Sequence, residues 1–273
     1  MKTFQIRYLV VNKAIPVQTA QADRIGQSIR LIILTSLLML AGCTSLTYNV
    51  NHYQDGKTLG KGKVETRVAL GVGRTFESTV ESSRTNFEVE TIQTETLVAN
   101  TFGRYGVSPN LDVGADAFLS FEGTGVRVFV KVGLTDSLSK WGVSLMPVIG
   151  YAQGVSSEGT TAFNGREERD KISSSGFAFE LAVPISYQAS SEFAIHFGPK
   201  VYYYSYKVSS SISSSGGPDP FSESRSLRRS YFSPGFSLGV RFDTINPEVT
   251  VVLVEKKLVP YLGVAVRLRP SFF

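Results

Sequence analysis

The 273-residue sequence has a single cysteine, Cys43, and only two histidines, His52 and His196. One cysteine excludes an intrachain disulfide, and two distant histidines form no cluster with metal-ligand spacing. A glycine-rich loop leading into a helix, which would cradle a phosphate, is also missing. Gly71 and Gly73 lie within a strand pattern, where close strand packing explains them. We therefore expect no metal site and no dissociable cofactor.

Long hydrophobic runs are absent as well. The uncharged apolar stretch 31–41 has 11 residues, whereas a membrane-spanning helix needs about 20. Arg24 and Arg30 precede this stretch, and the small residues Ala41 and Gly42 lie at its end. A basic segment, an apolar core and a small-residue site in this order are typical of a secretory signal peptide. A buried core helix that happens to end near a cysteine is the alternative interpretation.

The segment Leu40-Ala41-Gly42-Cys43 resembles the lipobox of bacterial lipoproteins. The resemblance implies that lipoprotein-processing machinery cleaves the chain before Cys43 and acylates its thiol and new amino group. This covalent lipid on Cys43 is the only non-protein group we expect. Residues 1–42 would then be a lipoprotein signal peptide, and residues 43–57 a polar, lipid-proximal tether. Thr44, standing where an Asp would favour retention, implies sorting to the outer membrane by analogy with other lipoproteins.

Excess charge of one sign disappears once residues 1–42 are set aside. The whole sequence carries 28 Lys and Arg against 23 Asp and Glu. Five of the basic residues and one acidic residue lie before Cys43, which leaves a net charge of about +1 in the remainder. A nucleic-acid-binding domain would carry a basic patch or stripe. The sequence indicates no nucleic-acid partner.

Helical periodicity is missing from residue 58 onward. Apolar residues recur there with a period of two, and Gly, Ser, Asn, Asp and Pro separate the runs, which predicts β-strands. We expect ten strands, at about 59–76, 87–106, 111–121, 126–133, 141–152, 177–188, 193–204, 231–242, 247–257 and 259–272. The polar stretches between some of these strands are predicted to be long loops at 77–86, 154–171 and 209–227, the second of which contains the charged run 166–171.

Alternation alone does not decide whether the apolar faces form a core or contact lipid. A lipid-tethered, soluble periplasmic barrel or sandwich that binds an apolar ligand would show the same period. Two features favour lipid. The apolar faces continue over the roughly 9–11 residues that a membrane strand needs. Aromatic residues also bracket several faces, as interfacial girdles require, at Trp141/Tyr151, Phe177/Tyr187, Phe193/Tyr203 and Phe232/Phe242.

A third feature is the opposite face, which combines glycines with charges of both signs. Such a face suits a narrow lumen in which buried charges pair with one another. The candidate lumen network consists of Glu65, Arg67, Asp112, Asp116, Arg127, Lys131, Glu180, His196, Lys200, Arg241 and Arg267. We therefore predict an all-β, antiparallel up-and-down β-barrel of about ten strands (8–12), of the outer-membrane type, in residues 58–273. Side chains should fill a barrel of this size.

The chain ends in Phe273, and residues 59–273 resemble small outer-membrane β-barrels, whose last strand ends in an aromatic residue. The resemblance implies outer-membrane lipid and the barrel-insertion machinery as partners. It departs from the pattern at Pro270, which removes a ladder donor, and at Phe273, which is one position out of the apolar parity. An even strand number places both chain ends on one side, so we expect both termini in the periplasm and a lipid anchor on that side.

Function is less well indicated than architecture. We expect a structural or surface-interaction role, with an extracellular ligand contacting loops 77–86, 154–171 and 209–227. No catalytic residues are assigned, because no Ser–His elbow or oxyanion motif is present. His196 is expected to be a hydrogen-bonded lumen residue. A lipid-modifying enzyme that uses His196 is the remaining hypothesis.

Overall fold

The computed structural model describes residues 45–82, 87–136, 138–163, 166–215 and 221–268. The proposed signal peptide and Cys43 lie outside this range. Thirteen strands are present in the described residues: β1 (Ser45–Tyr48), β2 (Val64–Ser82), β3 (Phe87–Ser108), β4 (Leu111–Ser120), β5 (Gly123–Gly133), β6 (Trp141–Gly154), β7 (Ser157–Phe163), β8 (Arg166–Ala182), β9 (Ile185–Gln188), β10 (Phe193–Ser215), β11 (Phe221–Phe242), β12 (Ile245–Val254) and β13 (Lys257–Leu268).

Most of these strands close into a ring in which each strand pairs antiparallel with its neighbours. The order is β2-β3-β4-β5-β6, then β8 and β9 together, then β10-β11-β12-β13, and β13 pairs back with β2. The pairs Val143↔Ile185 and Met146↔Ala182 share one register, so β8 and β9 form one wall strand. It is interrupted at Pro184, which has no N–H to donate. The prediction of an up-and-down barrel of about ten strands is confirmed.

Strand alternation places the apolar faces on the outside of the ring. On β5, Val126 and Val128 are 54% and 56% exposed, whereas Arg127 between them is 4% exposed. The same parity holds around the barrel, where Val, Leu, Ile and aromatic side chains form an outward apolar belt. The apolar faces are therefore the exterior and the charged faces line the lumen.

Two rings of aromatic side chains bound the apolar belt on consecutive strands. At one edge, Trp141 contacts Tyr187 with ring centroids 5.0 Å apart, and Phe193 contacts Phe242 at 5.1 Å. At the other edge, Tyr151 contacts Phe177 at 5.2 Å, and Tyr203 lies opposite Phe232. Ten residues separate the two edges on each strand, which corresponds to about 25 Å along the barrel axis for a strand tilted by roughly 40°.

The two ends of the barrel differ. The short-turn end carries the brief connections 109–110, 134–140, 189–192 and 243–244. The hairpin end carries three longer strand pairs. The prediction of long loops is wrong for much of 77–86, 154–171 and 209–227. β2 continues to Ser82, β7 and β8 form a hairpin, and β10 pairs with β11 as far as Ser214↔Phe221. Backbone pairing continues beyond the apolar belt through these polar, Ser- and Thr-rich stretches.

Residues 45–57, here called the lumen segment, run inside the barrel. Ser45 to Asp55 are at most 5% exposed. The expectation that residues 43–57 form a polar tether between lipid and domain is wrong for residues 45–57, because the barrel wall encloses them and supplies hydrogen-bonding partners for their backbone. The ladder between β13 and β2 ends at Gly263↔Gly71, and beyond it β1 pairs with residues 74–77 of β2. The N-terminal segment thus pairs with the part of the β2 edge that β13 leaves unpaired, on the inner side of the barrel.

Candidate functional site

The structure places all eleven candidate network residues in the lumen. Nine of them are buried, while the side chains of Arg241 and Arg267 are 12% and 34% exposed at the short-turn end. Sequence parity locates these wall residues, yet their partners are in part side chains and backbone groups of the lumen segment. The site is therefore the filled lumen as a whole, in which the wall holds an extended piece of the same chain.

Three carboxylates organise the short-turn end of the lumen. Glu65 lies 3.0 Å from Arg104 and 2.9 Å from Arg67, and it also pairs with Arg267. Asp112 accepts the backbone N–H of Leu59 at 3.0 Å. Glu65 and Asp112 are almost completely removed from water, so each carboxylate needs its partners. Removal of one member of a buried pair typically costs about 3–5 kcal/mol.

The third carboxylate, Asp55, belongs to the lumen segment itself. Its side chain pairs with Arg241 and lies 3.6 Å from Lys131. Lys131 also donates to the carbonyl oxygens of Asp55 and Lys57, at 2.5 Å each. The carboxylate and the backbone at this end of the lumen segment are thus fixed by two wall strands, β5 and β11.

Arg127 holds the middle of the lumen segment. Its guanidinium forms a salt bridge with Asp116 of the neighbouring strand, with Nε 2.9 Å from Oδ1. The remaining nitrogens donate to the carbonyl oxygens of Asn49 at 2.8 Å and Asn51 at 3.1 Å. Arg127 therefore pairs with a carboxylate of the wall and, at the same time, donates hydrogen bonds to the main chain of the lumen segment.

Glu248 and Lys200 hold the same segment from the opposite wall. Glu248 accepts the backbone N–H groups of His52 and Tyr53, at 3.1 and 2.8 Å. Lys200 lies 3.1 Å from Glu248 and donates to the carbonyl of Val50 at 3.3 Å. Tyr202 donates to the same carbonyl at 2.8 Å. Glu248 lies on the polar face of β12 but was absent from the predicted network.

Both histidines are buried in the lumen and have defined neighbours. His52 Nε2 lies 2.6 Å from Glu180 Oε2, and His196 Nε2 lies 2.7 Å from the side-chain oxygen of Asn246. Asn246 in turn donates to the carbonyl of Tyr53 at 2.7 Å. In the residues that the structure describes, no group of three His, Cys, Asp or Glu side chains is placed to hold a metal ion.

Aromatic rings around one cation fill the hairpin end of the lumen. The Arg74 guanidinium lies 4.9 Å from the Phe76 ring centroid and 5.4 Å from that of Tyr204. Arg74 also donates to Ser233 on β11 at 3.1 Å. Attraction between a desolvated cation and ring faces stabilises such a cluster. Arg74 was missed because inward parity on β2 falls on odd numbers up to Gly73, and Arg74 becomes buried only where β1 covers the strand.

Two of the long hairpins meet above this aromatic cluster. Tyr206 on β10 donates to Thr91 on β3 at 2.7 Å, and Arg229 on β11 donates to the carbonyl of Val89 at 3.2 Å. The extension of β2 and β3 therefore leans across the hairpin end and touches the extension of β10 and β11. These contacts link two separate parts of the barrel wall at that end.

Among the residues that the structure describes, side chains of the lumen line two small cavities, each with a volume of about 10 Å³. That volume corresponds to roughly one water molecule. Three polar atoms without a hydrogen-bond partner belong to side chains lining the first cavity: Asn49 Nδ2, Glu180 Oε1 and the Tyr204 hydroxyl. Both cavities are too small to accommodate an apolar ligand.

No family model matches the chain, and no curated protein matches it. Among solved structures, the outer membrane protease OmpT from Escherichia coli is 8% identical, covers 76% of this chain and 91% of its own, and has a TM-score of 0.37. The translocator domain of the autotransporter NalP from Neisseria meningitidis is 10% identical, with coverage of 92% and 97% and a TM-score of 0.34. Ail from Yersinia pestis is 13% identical, with coverage of 76% and 99% and a TM-score of 0.25.

These values add nothing to the architecture that the strand pairing itself establishes. The fold is a closed antiparallel β-barrel with an apolar exterior and a charged, filled interior, which is the architecture of outer-membrane barrels. The described part of the chain contains no helix that is long and apolar enough to cross a bilayer.

Proposed function

We propose that the protein is an outer-membrane β-barrel lipoprotein with a structural or surface-interaction role. The observation that carries the proposal is the outward apolar belt bounded by two aromatic rings about 25 Å apart. In water, this exterior would be far larger than the apolar patches that soluble monomers expose. The alternative of a soluble barrel binding an apolar ligand is disfavoured, since the apolar faces point outward and the lumen is charged and filled.

The proposed orientation puts the short-turn end in the periplasm and the hairpin end outside the cell, as in bacterial barrels generally. The long hairpins then project from the cell surface, where they are the elements available for contact. Their charged side chains include Lys171, which donates to Glu158 at 2.5 Å and thereby lowers the pKa of that carboxyl group.

The surface role is supported by one pair of cations on the outer wall. Lys207 on β10 lies directly opposite Arg228 on β11, and both are exposed. Like charges in directly opposed positions repel, and within the described residues neither side chain forms a salt bridge. The pair lies two positions beyond the level of Phe177, at the edge of the apolar belt. We propose that this pair contacts the phosphate groups of outer-leaflet lipids.

Lipidation of Cys43 belongs to the same proposal and rests on the lipobox resemblance, since Cys43 lies outside the described residues. Labelled palmitate should be incorporated into the wild-type protein and not into a Cys43→Ser variant. Equal labelling of both proteins would contradict the lipobox assignment without affecting the barrel.

The orientation is tested with one epitope inserted between β10 and β11, within 216–220, and another at Ser190-Ser191 in the short-turn end. An antibody should reach the first epitope on intact cells and the second only after permeabilisation. The reverse pattern would contradict the proposed orientation. If both epitopes are soluble after cell lysis without detergent, the outer-membrane assignment fails.

A further inference from the structure

The lumen segment has a defined direction along the barrel. Directly after its C-terminal end, Thr58 donates to the carbonyl of Pro109 at 2.7 Å, in the turn between β3 and β4. At its N-terminal end, Ser45 donates to the carbonyl of Glu122 at 3.1 Å, in the turn between β4 and β5. These turns lie at opposite ends of β4. The segment therefore crosses the apolar belt, from the hairpin end at Ser45 to the short-turn end at Thr58.

Further contacts fix Ser45 at the hairpin end. Its carbonyl accepts a hydrogen bond from Ser174 at 3.1 Å, and β1 continues the sheet of β2 from Ser45↔Glu77 to Tyr48↔Arg74. Thr47 lies within 2.9 Å of Thr75 and 3.0 Å of Ser120 through their hydroxyl oxygens. Three different wall regions thus hold the N-terminal end of the segment.

The wall holds the segment largely through its backbone. Arg127, Lys131, Lys200 and Tyr202 all donate to its carbonyl oxygens, and Glu248 accepts two of its N–H groups. Side chains of the segment add to these contacts, since Asp55 pairs with Arg241 and His52 lies 2.6 Å from Glu180. The wall thus holds the segment along the length of the lumen.

We infer that the barrel has threaded its own N-terminal segment outward, so that the chain preceding Ser45 leaves at the cell surface and the lipid on Cys43 lies in the outer leaflet. This inference rests on the proposed lipidation and orientation. Two residues span at most about 7 Å, whereas β4 has 10 residues and rises about 25 Å along the axis between the two turns. A lipid on Cys43 cannot reach the periplasmic leaflet while Ser45 keeps its contacts.

A disulfide tests the seating of the segment in the lipidated, full-length protein. Thr47 and Thr75 are directly opposed, within the Cα separation that a disulfide accepts. A Thr47→Cys/Thr75→Cys variant should form the disulfide in isolated envelopes and still incorporate labelled palmitate. The control variant, Thr47→Cys/Thr94→Cys, should not form a disulfide. Thr94 pairs with the other edge of β2 and lies about 10 Å from Thr47.

A failure of the first pair to cross-link, in protein that still behaves as a folded barrel and carries palmitate, would overturn the inference and leave the proposed barrel intact. Cross-linking of both pairs to the same extent would also overturn it, since the segment would then lack a fixed position.

An epitope inserted between Thr44 and Ser45 tests the side on which the chain emerges. An antibody should bind it on intact cells, as it binds the epitope within 216–220. Binding to the N-terminal epitope only after permeabilisation, while the 216–220 epitope is reached on intact cells, would overturn the inference alone. If the 216–220 epitope is itself inaccessible on intact cells, the proposed orientation fails and the inference falls with it.

Discussion

Single residues in the lumen act through pairing, and Glu248 is the clearest case. It balances Lys200 and accepts two N–H groups of the lumen segment. A Glu248→Gln substitution leaves Lys200 buried without its carboxylate, so we expect a loss of roughly 3 kcal/mol. The temperature at which the folded band converts to the unfolded band on SDS gels should fall by roughly 6–12 °C. Glu192→Gln, at an exposed turn position, is the matched control and should change this temperature little. Equal decreases for the two variants would refute the pairing account.

Gly263 illustrates a steric requirement. It pairs with Gly71 at the last rung between β13 and β2, and the Tyr53 hydroxyl lies against both glycines. A Cβ at position 263 would overlap Tyr53, so Gly263→Ala should loosen the lumen segment and lower the conversion temperature. Gly103→Ala is the control, because its Cβ would lie 3.9 Å from the nearest atom. The account fails if the two variants convert at the same temperature.

Residue parity was predictable from the sequence because a strand alternates faces. The alternation of apolar and polar residues along the strands is enough to assign Glu65, Arg127 and Lys200 to the polar face. Asp55 and His52 were not predictable, because they belong to a segment without periodicity whose position depends on the completed barrel. Their burial follows from the hydrogen-bonding groups that the wall presents, which no local pattern encodes.

At the scale of elements, the hairpins show where sequence patterns stop being informative. The stretch 209–227 is rich in Ser and has little apolar alternation, so it resembles a loop. Residues 209–214 pair with residues 221–226 nevertheless, because β10 and β11 continue a register already set within the apolar belt. Beyond the belt both faces of the hairpin carry polar residues, and pairing no longer requires an apolar side.

The outer half of the β10–β11 hairpin should therefore be dispensable for the barrel. Ser209 lies directly opposite Ser226, so residues 210–225 can be replaced by a two-residue Asn-Gly turn. The shortened protein should keep its heat-modifiable band, because Tyr203 and Phe232 still bound the belt. Loss of that band would show that the extension is required for folding rather than for surface contact.

The cation pair on this hairpin makes a separate prediction. Replacing both Lys207 and Arg228 by Ser should reduce the amount of phosphate-bearing lipid that copurifies with the barrel, since each cation near an anionic surface contributes about 1 kcal/mol. Lys171→Ser is the control, because Lys171 is already paired with Glu158. Equal lipid content in all three proteins would contradict the proposed headgroup contact.

For the whole molecule, the sequence predicted the number of strands and the outward apolar faces, because each strand carries its own pattern. It did not predict the path of the N-terminal segment. An even strand number places the start of β2 and the end of β13 on one side of the barrel, where Thr66 pairs with Leu268. This rule does not extend to Ser45, because the lumen segment crosses the barrel before β2 begins.

A filled lumen should not conduct ions. The wild-type protein in a planar bilayer should show no steady conductance, whereas a variant lacking residues 45–56 should conduct, because the removed segment passes through the whole apolar belt. The variant is informative when it retains its heat-modifiable band. Conductance by the wild type comparable to that of the variant would contradict the closed lumen.

Heat-modifiability of the unmodified protein tests the central claim most directly, namely that the apolar faces contact lipid. Outer-membrane fractions are run on SDS gels with and without boiling. The account predicts a band that shifts in apparent mass on boiling and that stays with the membrane until detergent is added. Two results together would contradict the account. The band would not shift on boiling, and the protein would leave the membrane once the chain is cut N-terminal to β2.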